Sequence, residues 1–77
     1  MSRFFLDEKC LDFLLLAEKE EAQARAYAFR FQGKIIYIED IPVNYPRITV
    51  CTVKGLKSTI RTLKRNGWAI IRNNVEA

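Results

Sequence analysis

Lys54, Lys57, Arg61, Lys64 and Arg65 lie close together in the chain. At 100° per residue a helix through them gathers all five into one sector of roughly 100°. Leu56, Ile60 and Leu63 recur at i, i+4 and i+7 on the same segment and form an apolar ridge beside that sector. Such side chains hold anions by charge and hydrogen bonding; they do not activate a nucleophile. A cationic sector beside a buried ridge can lie along a phosphate backbone, with Ser58, Thr59 and Thr62 on the other flank as further donors. Arg72, a little further on, would extend the same charge. The ordinary alternative is a solvated face on which Lys64 and Arg65 only complement the dipole at the helix C-terminus.

Charge is segregated along the whole chain. Residues 47–77 carry +6, since Arg47, Lys54, Lys57, Arg61, Lys64, Arg65 and Arg72 are opposed only by Glu76. Residues 1–21 carry −3, with Asp7, Glu8, Asp12, Glu18, Glu20 and Glu21 outweighing Arg3, Lys9 and Lys19. A one-signed surface concentrates a polyanion or an acidic partner near the protein, which mixed charges of the same net total of +4 would not.

The residue inventory argues against catalysis and against a cofactor or metal. Histidine is absent, so imidazole acid–base chemistry has no carrier. The serines are Ser2 and Ser58, neither with a histidine to activate it, and Gly33, Gly55 and Gly67 form no phosphate-cradling loop. Glu39 and Asp40 are adjacent and point to opposite sides of a strand. Cys10 and Cys51 are far apart and read as reduced, partly buried residues, and a zinc site would have to be built from carboxylates alone. Helix-turn-helix, zinc-finger and RNA-recognition signatures are also missing, so binding to DNA or RNA would run through backbone contacts with weak sequence preference.

Seventy-seven residues with an apolar fraction of 49% fit one small folded domain with a thin core. The longest uncharged apolar run, Phe13 to Ala17, is far short of the roughly 20 residues that span a bilayer. Asp7, Glu8, Lys9 and Asp12 interrupt the place where the apolar core of an export signal would sit, so a cytoplasmic location is expected.

The elements that must position these residues can be read in order. Residues 1–6 read as an N-terminal arm. Asp7 reads as a helix cap, with Leu6 stapling onto Leu11, and a helix is expected from about Glu8 to Ala22. Its first half is apolar almost all round, with Phe13 and Leu16 pointing away from the stripe of Leu11, Leu15 and Ala22. From Ala24 the period becomes two, with Ala24, Ala26 and Ala28 alternating with Arg25, Tyr27, Phe29 and Phe31. Gly33 provides the positive φ of a hairpin turn, and Ile35 to Ile38 return as the second strand. Pro42 and Pro46 bracket a loop, Ile48 to Val53 make a third strand, and a helix follows from about Lys54 to Arg65. Asn66 and Gly67 cap that helix, Trp68 folds back onto Leu63, Trp68 to Arg72 form a last strand, and residues 73–77 read as a flexible tail.

The expected fold is therefore α+β, a two-layer domain in the order α-β-β-β-α-β, mainly antiparallel, with two helices on one face of the sheet. Tyr27, Phe29 and Phe31 are expected in the core, the other use of such a row being a stacking platform for unpaired bases. Two function classes follow. In the first, Lys54, Lys57, Arg61, Lys64, Arg65 and Arg72 contact phosphates of DNA or RNA and the protein is a nucleic-acid-associated regulator. In the second, Phe13, Leu16, Glu18, Glu20 and Glu21 dock a partner protein, so that the chain acts as an adaptor or inhibitor. The surplus of apolar surface favours a homo-oligomer in either case.

Overall fold

A computed structural model of the chain describes residues 13–42 and 46–75. Five strands, β1 (Phe13–Lys19), β2 (Ala24–Phe31), β3 (Lys34–Asp40), β4 (Arg47–Cys51) and β5 (Ala69–Asn73), form one sheet, and a single α-helix, α1 (Val53–Arg65), connects the last two. The strand order is β4-β3-β2-β1-β5, with every neighbouring pair antiparallel. These pairings make β4 and β5, at the two edges, run in the same direction. Helix α1 therefore has to cross over the three strands between them. Among the described residues the result is a small α+β fold with one α-helix and a 3-10 turn.

The helix expected over Glu8 to Ala22 is replaced, within the described residues, by β1 and a 3-10 turn at Glu20–Ala22. The proposed cap at Asp7 and the Leu6–Leu11 staple lie outside the described residues. An apolar run without turn residues fits either a buried helix or a strand buried on both faces. Here β1 lies between β2 and β5, with Leu15 and Ala17 on one face and Phe13 and Leu16 on the other. Both faces need apolar side chains, which is why no helical stripe accounted for them. The turn that follows is built from good helix formers and closes through Gln23, whose φ of 52° is left-handed and whose amide donates to the Glu20 carbonyl at 3.0 Å.

The β2–β3 hairpin forms as expected, with Phe31 paired to Lys34 across a two-residue turn. Gln32 (φ 52°) and Gly33 (φ 81°) both take positive φ, the requirement of a type I′ turn. The observed β4, α1 and β5 follow the expected third strand, second helix and last strand to within two residues, β4 ending at Cys51 rather than Val53. Beyond β5 the chain is anchored where a flexible tail was expected. The Asn74 amide donates to the Leu14 carbonyl at 2.7 Å and Val75 is buried in the core, so the described end is held by both a hydrogen bond and apolar burial.

Alternation along the strands separates two faces. On the helix face, Ala17, Ala26 and Ala28 are fully buried and form a floor of small side chains. Leu56, Ile60 and Leu63 of α1 join Leu15, Ile35, Tyr37 and Val75 over it, and Cys51, Val53, Trp68 and Ile70 close its margins. A methyl group projects so little from a strand that the helix ridge can settle directly onto the sheet. Each fully buried leucine contributes roughly 1.5–3 kcal/mol, and Leu56 and Leu15 are buried completely. The Tyr37 hydroxyl donates to Glu39 Oε2 at 2.8 Å. Burial first, then that hydrogen bond and the nearby carboxylate charge, push this phenol far above its usual range, so it remains a donor.

The far face holds a second, smaller cluster. Phe13, Tyr27 and Ile38 are buried there, with Leu16, Phe29 and Ile36 beside them. Phe13 meets Tyr27 and Phe29 edge to face, at centroid distances of 5.9 and 6.3 Å. The expected burial of the aromatic row thus holds for Tyr27, weakens at Phe29 and fails at Phe31, which is 55% exposed at the hairpin end. Among the described residues no helix is long and apolar enough to cross a membrane.

Seating α1 on an alanine floor has a measurable consequence. Ala28→Leu should destabilise the fold by about 1–3 kcal/mol, because the added methylenes must lift the helix or leave their rotamers. Urea unfolding followed by circular dichroism checks this, and a loss below about 0.5 kcal/mol would show that the helix does not rest there.

Candidate nucleic-acid interface

Both ends of α1 are fixed by side-chain and backbone hydrogen bonds. At the N-terminus the Gly55 amide donates to Thr52 Oγ1 at 3.1 Å, with Thr52 in extended conformation as the cap. At the C-terminus the Gly67 amide donates to Lys64 O at 3.1 Å and the Trp68 amide to Leu63 O at 3.0 Å. With Gly67 at φ 88° this is a Schellman cap. Trp68 packs against the core cluster that contains Leu63, the apolar contact expected of such a cap. These anchors and the buried ridge determine the rotation of the helix about its axis.

That rotation turns the cationic sector away from the sheet. Lys54, Arg61, Lys64 and Arg65 are exposed, whereas Lys57 is half-buried on the flank of the ridge. Ion pairs among the described residues link Arg25 to Glu18 at 3.8 Å, Arg47 to Glu39 at 3.9 Å and Lys19 to Glu21 at 4.0 Å. None involves Lys54, Arg61, Lys64 or Arg65. The acidic 3-10 turn does approach this end of the helix. Glu18, Glu20 and Glu21 line a shallow groove with Gly67 and Ala69, beside the helix cap, but its carboxylates do not pair with the helix cations.

The arrangement is poorly suited to stabilising the helix itself. Lys64 and Arg65 complement the dipole in the last turn, but the first turn contains no acidic residue and carries Lys54 instead. Lys54 and Lys57, Lys57 and Arg61, Arg61 and Lys64, and Arg61 and Arg65 are spaced three or four apart, where like charges repel by roughly 0.2–0.5 kcal/mol per pair. The helix holds no carboxylate to relieve them. A face selected for stability or for solubility alone would intersperse both signs. Thr62 Oγ1 turns inward to its own backbone, donating to Ser58 O at 3.3 Å, which leaves Ser58 as the more available hydroxyl on that flank.

Arg72 does not join this cluster. Its strand partner is Leu16, and it projects with Leu16 to the far face of the sheet, half-buried. The bulge in β5 between Ile70 and Arg72 determines this, and strand alternation counted from Trp68 alone could not have located it. The residues considered for partner docking fall into two groups, an apolar pair on the far face and the carboxylates at the 3-10 turn. Phe13 is buried within the far-face cluster with Leu16 at its side, Glu18 pairs with Arg25, and Glu20 and Glu21 stand exposed at the turn. The chain matches no protein-family model, no curated protein and no solved structure.

If the cations of α1 are retained against helix stability, replacing one should improve the fold. Lys54→Glu supplies a first-turn acid and removes a repulsion, so it should raise stability by about 0.5–1 kcal/mol, or a few degrees in Tm. Thermal melting in low salt reads this directly, and a lowered Tm would contradict the electrostatic account.

Proposed function

We propose that this chain is a small non-enzymatic binding protein, a nucleic-acid-associated regulator that contacts phosphates through α1. The observation that supports this reading is the outward cluster of Lys54, Arg61, Lys64 and Arg65, engaged in no ion pair among the described residues and unrelieved by any acidic neighbour on the helix. Lys57 flanks it, and Ser58 is placed as a secondary donor. The buried ridge holds this surface rigid, so little side-chain-bearing backbone has to be ordered on binding.

The contacts this helix can make are charge contacts to the sugar-phosphate backbone. Arginine and lysine on a convex helix surface neutralise phosphates and release condensed counterions, which provides affinity without reading bases. Arg72, on the other side of the sheet, is assigned no part in the same footprint. The basic helix is favoured over the acidic turn as the working surface because its charges are of one sign, whereas Glu18 and Glu21 lie 3.8 and 4.0 Å from Arg25 and Lys19 of their own chain.

Fluorescence anisotropy with labelled duplex and single-stranded oligonucleotides tests the reading. If about four phosphates are neutralised, affinity should fall by roughly 100-fold between 50 and 200 mM salt. The combined Lys54→Glu, Arg61→Glu and Lys64→Glu variant should fold and lose binding. No affinity at low salt, or full affinity in that variant, would reject the proposal.

A further inference from the structure

The two edges of the sheet differ in a way that points to a second copy of this chain. Edge strand β5 is interrupted by its bulge, a device that bends an edge and hinders further pairing. Edge strand β4 has a regular register against β3 from Arg47 through Cys51, contains no proline, and is rich in β-branched residues. Its outward backbone amides and carbonyls form a template for another strand. Ile48 and Val50 project from it to the far face at 67% and 59% exposure, the largest apolar exposures on that edge. Phe31, across the same face, is 55% exposed.

We propose that β4 pairs antiparallel with β4 of a second copy about a two-fold axis through Thr49, making one continuous sheet from two chains. The sequence Arg47-Ile48-Thr49-Val50-Cys51 is self-complementary in that register. Ile48 faces Val50 of the partner copy and Val50 faces its Ile48, joining the apolar rows of both far faces. Thr49 meets Thr49, a pair well tolerated across strands. The only charged residue of the strand, Arg47, falls opposite Cys51 of the other copy, so the two arginines lie at opposite ends of the interface. A foreign strand has no such reason to match, and an isologous pairing closes without propagating into fibres.

The geometry has a consequence for polyanion binding. A two-fold axis normal to the sheet places both α1 helices on the same side, with their N-termini nearest the axis, because each begins directly after β4. One cationic surface is thereby doubled in length. The pairing itself does not depend on the nucleic-acid reading, and its test is separate.

Light scattering and sedimentation over a concentration series should give a mass approaching twice 9.0 kDa. Ile48→Lys and Val50→Lys, each placing a charge at an exposed position, should return the mass to that of one chain while circular dichroism still shows the folded protein. Hydrogen exchange followed by NMR provides an independent readout: the outward amides of β4 should become protected as concentration rises. A wild-type mass of 9.0 kDa throughout, a dimer that both lysine variants leave intact, or unprotected β4 amides in the dimer would each overturn the proposal.

Discussion

The contact between the aliphatic ridge of α1 and the alanine floor of the sheet is the constraint on which the other features depend. Leu56, Ile60 and Leu63 cannot leave the floor of Ala17, Ala26 and Ala28 without exposing most of the helix-side core. Because the ridge occupies one side of the helix, the positions on the opposite side are driven outward, and those positions hold Lys54, Arg61 and Arg65. The small floor matters as much as the ridge. Larger residues in β2 would raise the helix, loosen the margins formed by Cys51, Val53, Trp68 and Ile70, and uncouple the helix from both edge strands.

Topology reinforces this packing. Helix α1 is the crossover between the two edges of the sheet, so its ends are tied to β4 by Thr52 and to β5 by the Gly67–Trp68 cap. A helix of this length with several like-charge repulsions and a lysine in its first turn would be marginal in isolation. Burial and capping supply what its own sequence lacks. The cost in helix stability and the absence, among the described residues, of ion pairs to Lys54, Arg61, Lys64 and Arg65 are then two aspects of one arrangement, a positive surface on a packed support.

Much of the chain from Ala24 onward was legible because its signals are local. The i, i+4, i+7 ridge, the Asn66-Gly67-Trp68 cap and the Gly33 turn each depend on neighbours within a few residues, and each element formed where those signals lie. Residues 13–23 depend on distant partners. Phe13–Lys19 is a strand because β2 and β5 flank it and both of its faces are covered, information that resides more than fifty residues away at β5. The turn at Glu20–Gln23 lacks glycine, proline and asparagine and uses Gln23 in a left-handed conformation, so its composition read as helix. The cationic cluster was legible apart from Arg72, whose face depends on the bulge that Ile71 introduces. The strand itself is legible at Ile48 to Val53, but the place of β4 at the edge is a property of strand order, which no local pattern encodes.

The outward side of α1 is the surface proposed to meet a polyanion. Mapping amide and side-chain NMR shifts during titration with a short oligonucleotide in low salt is the most direct measurement. The predicted result is a set of perturbations concentrated on Lys54, Lys57, Ser58, Arg61, Lys64 and Arg65, with the far-face strand residues largely still. Perturbations centred instead on Phe29, Phe31 and Ile36 would contradict it and identify the aromatic face of the sheet as the binding surface.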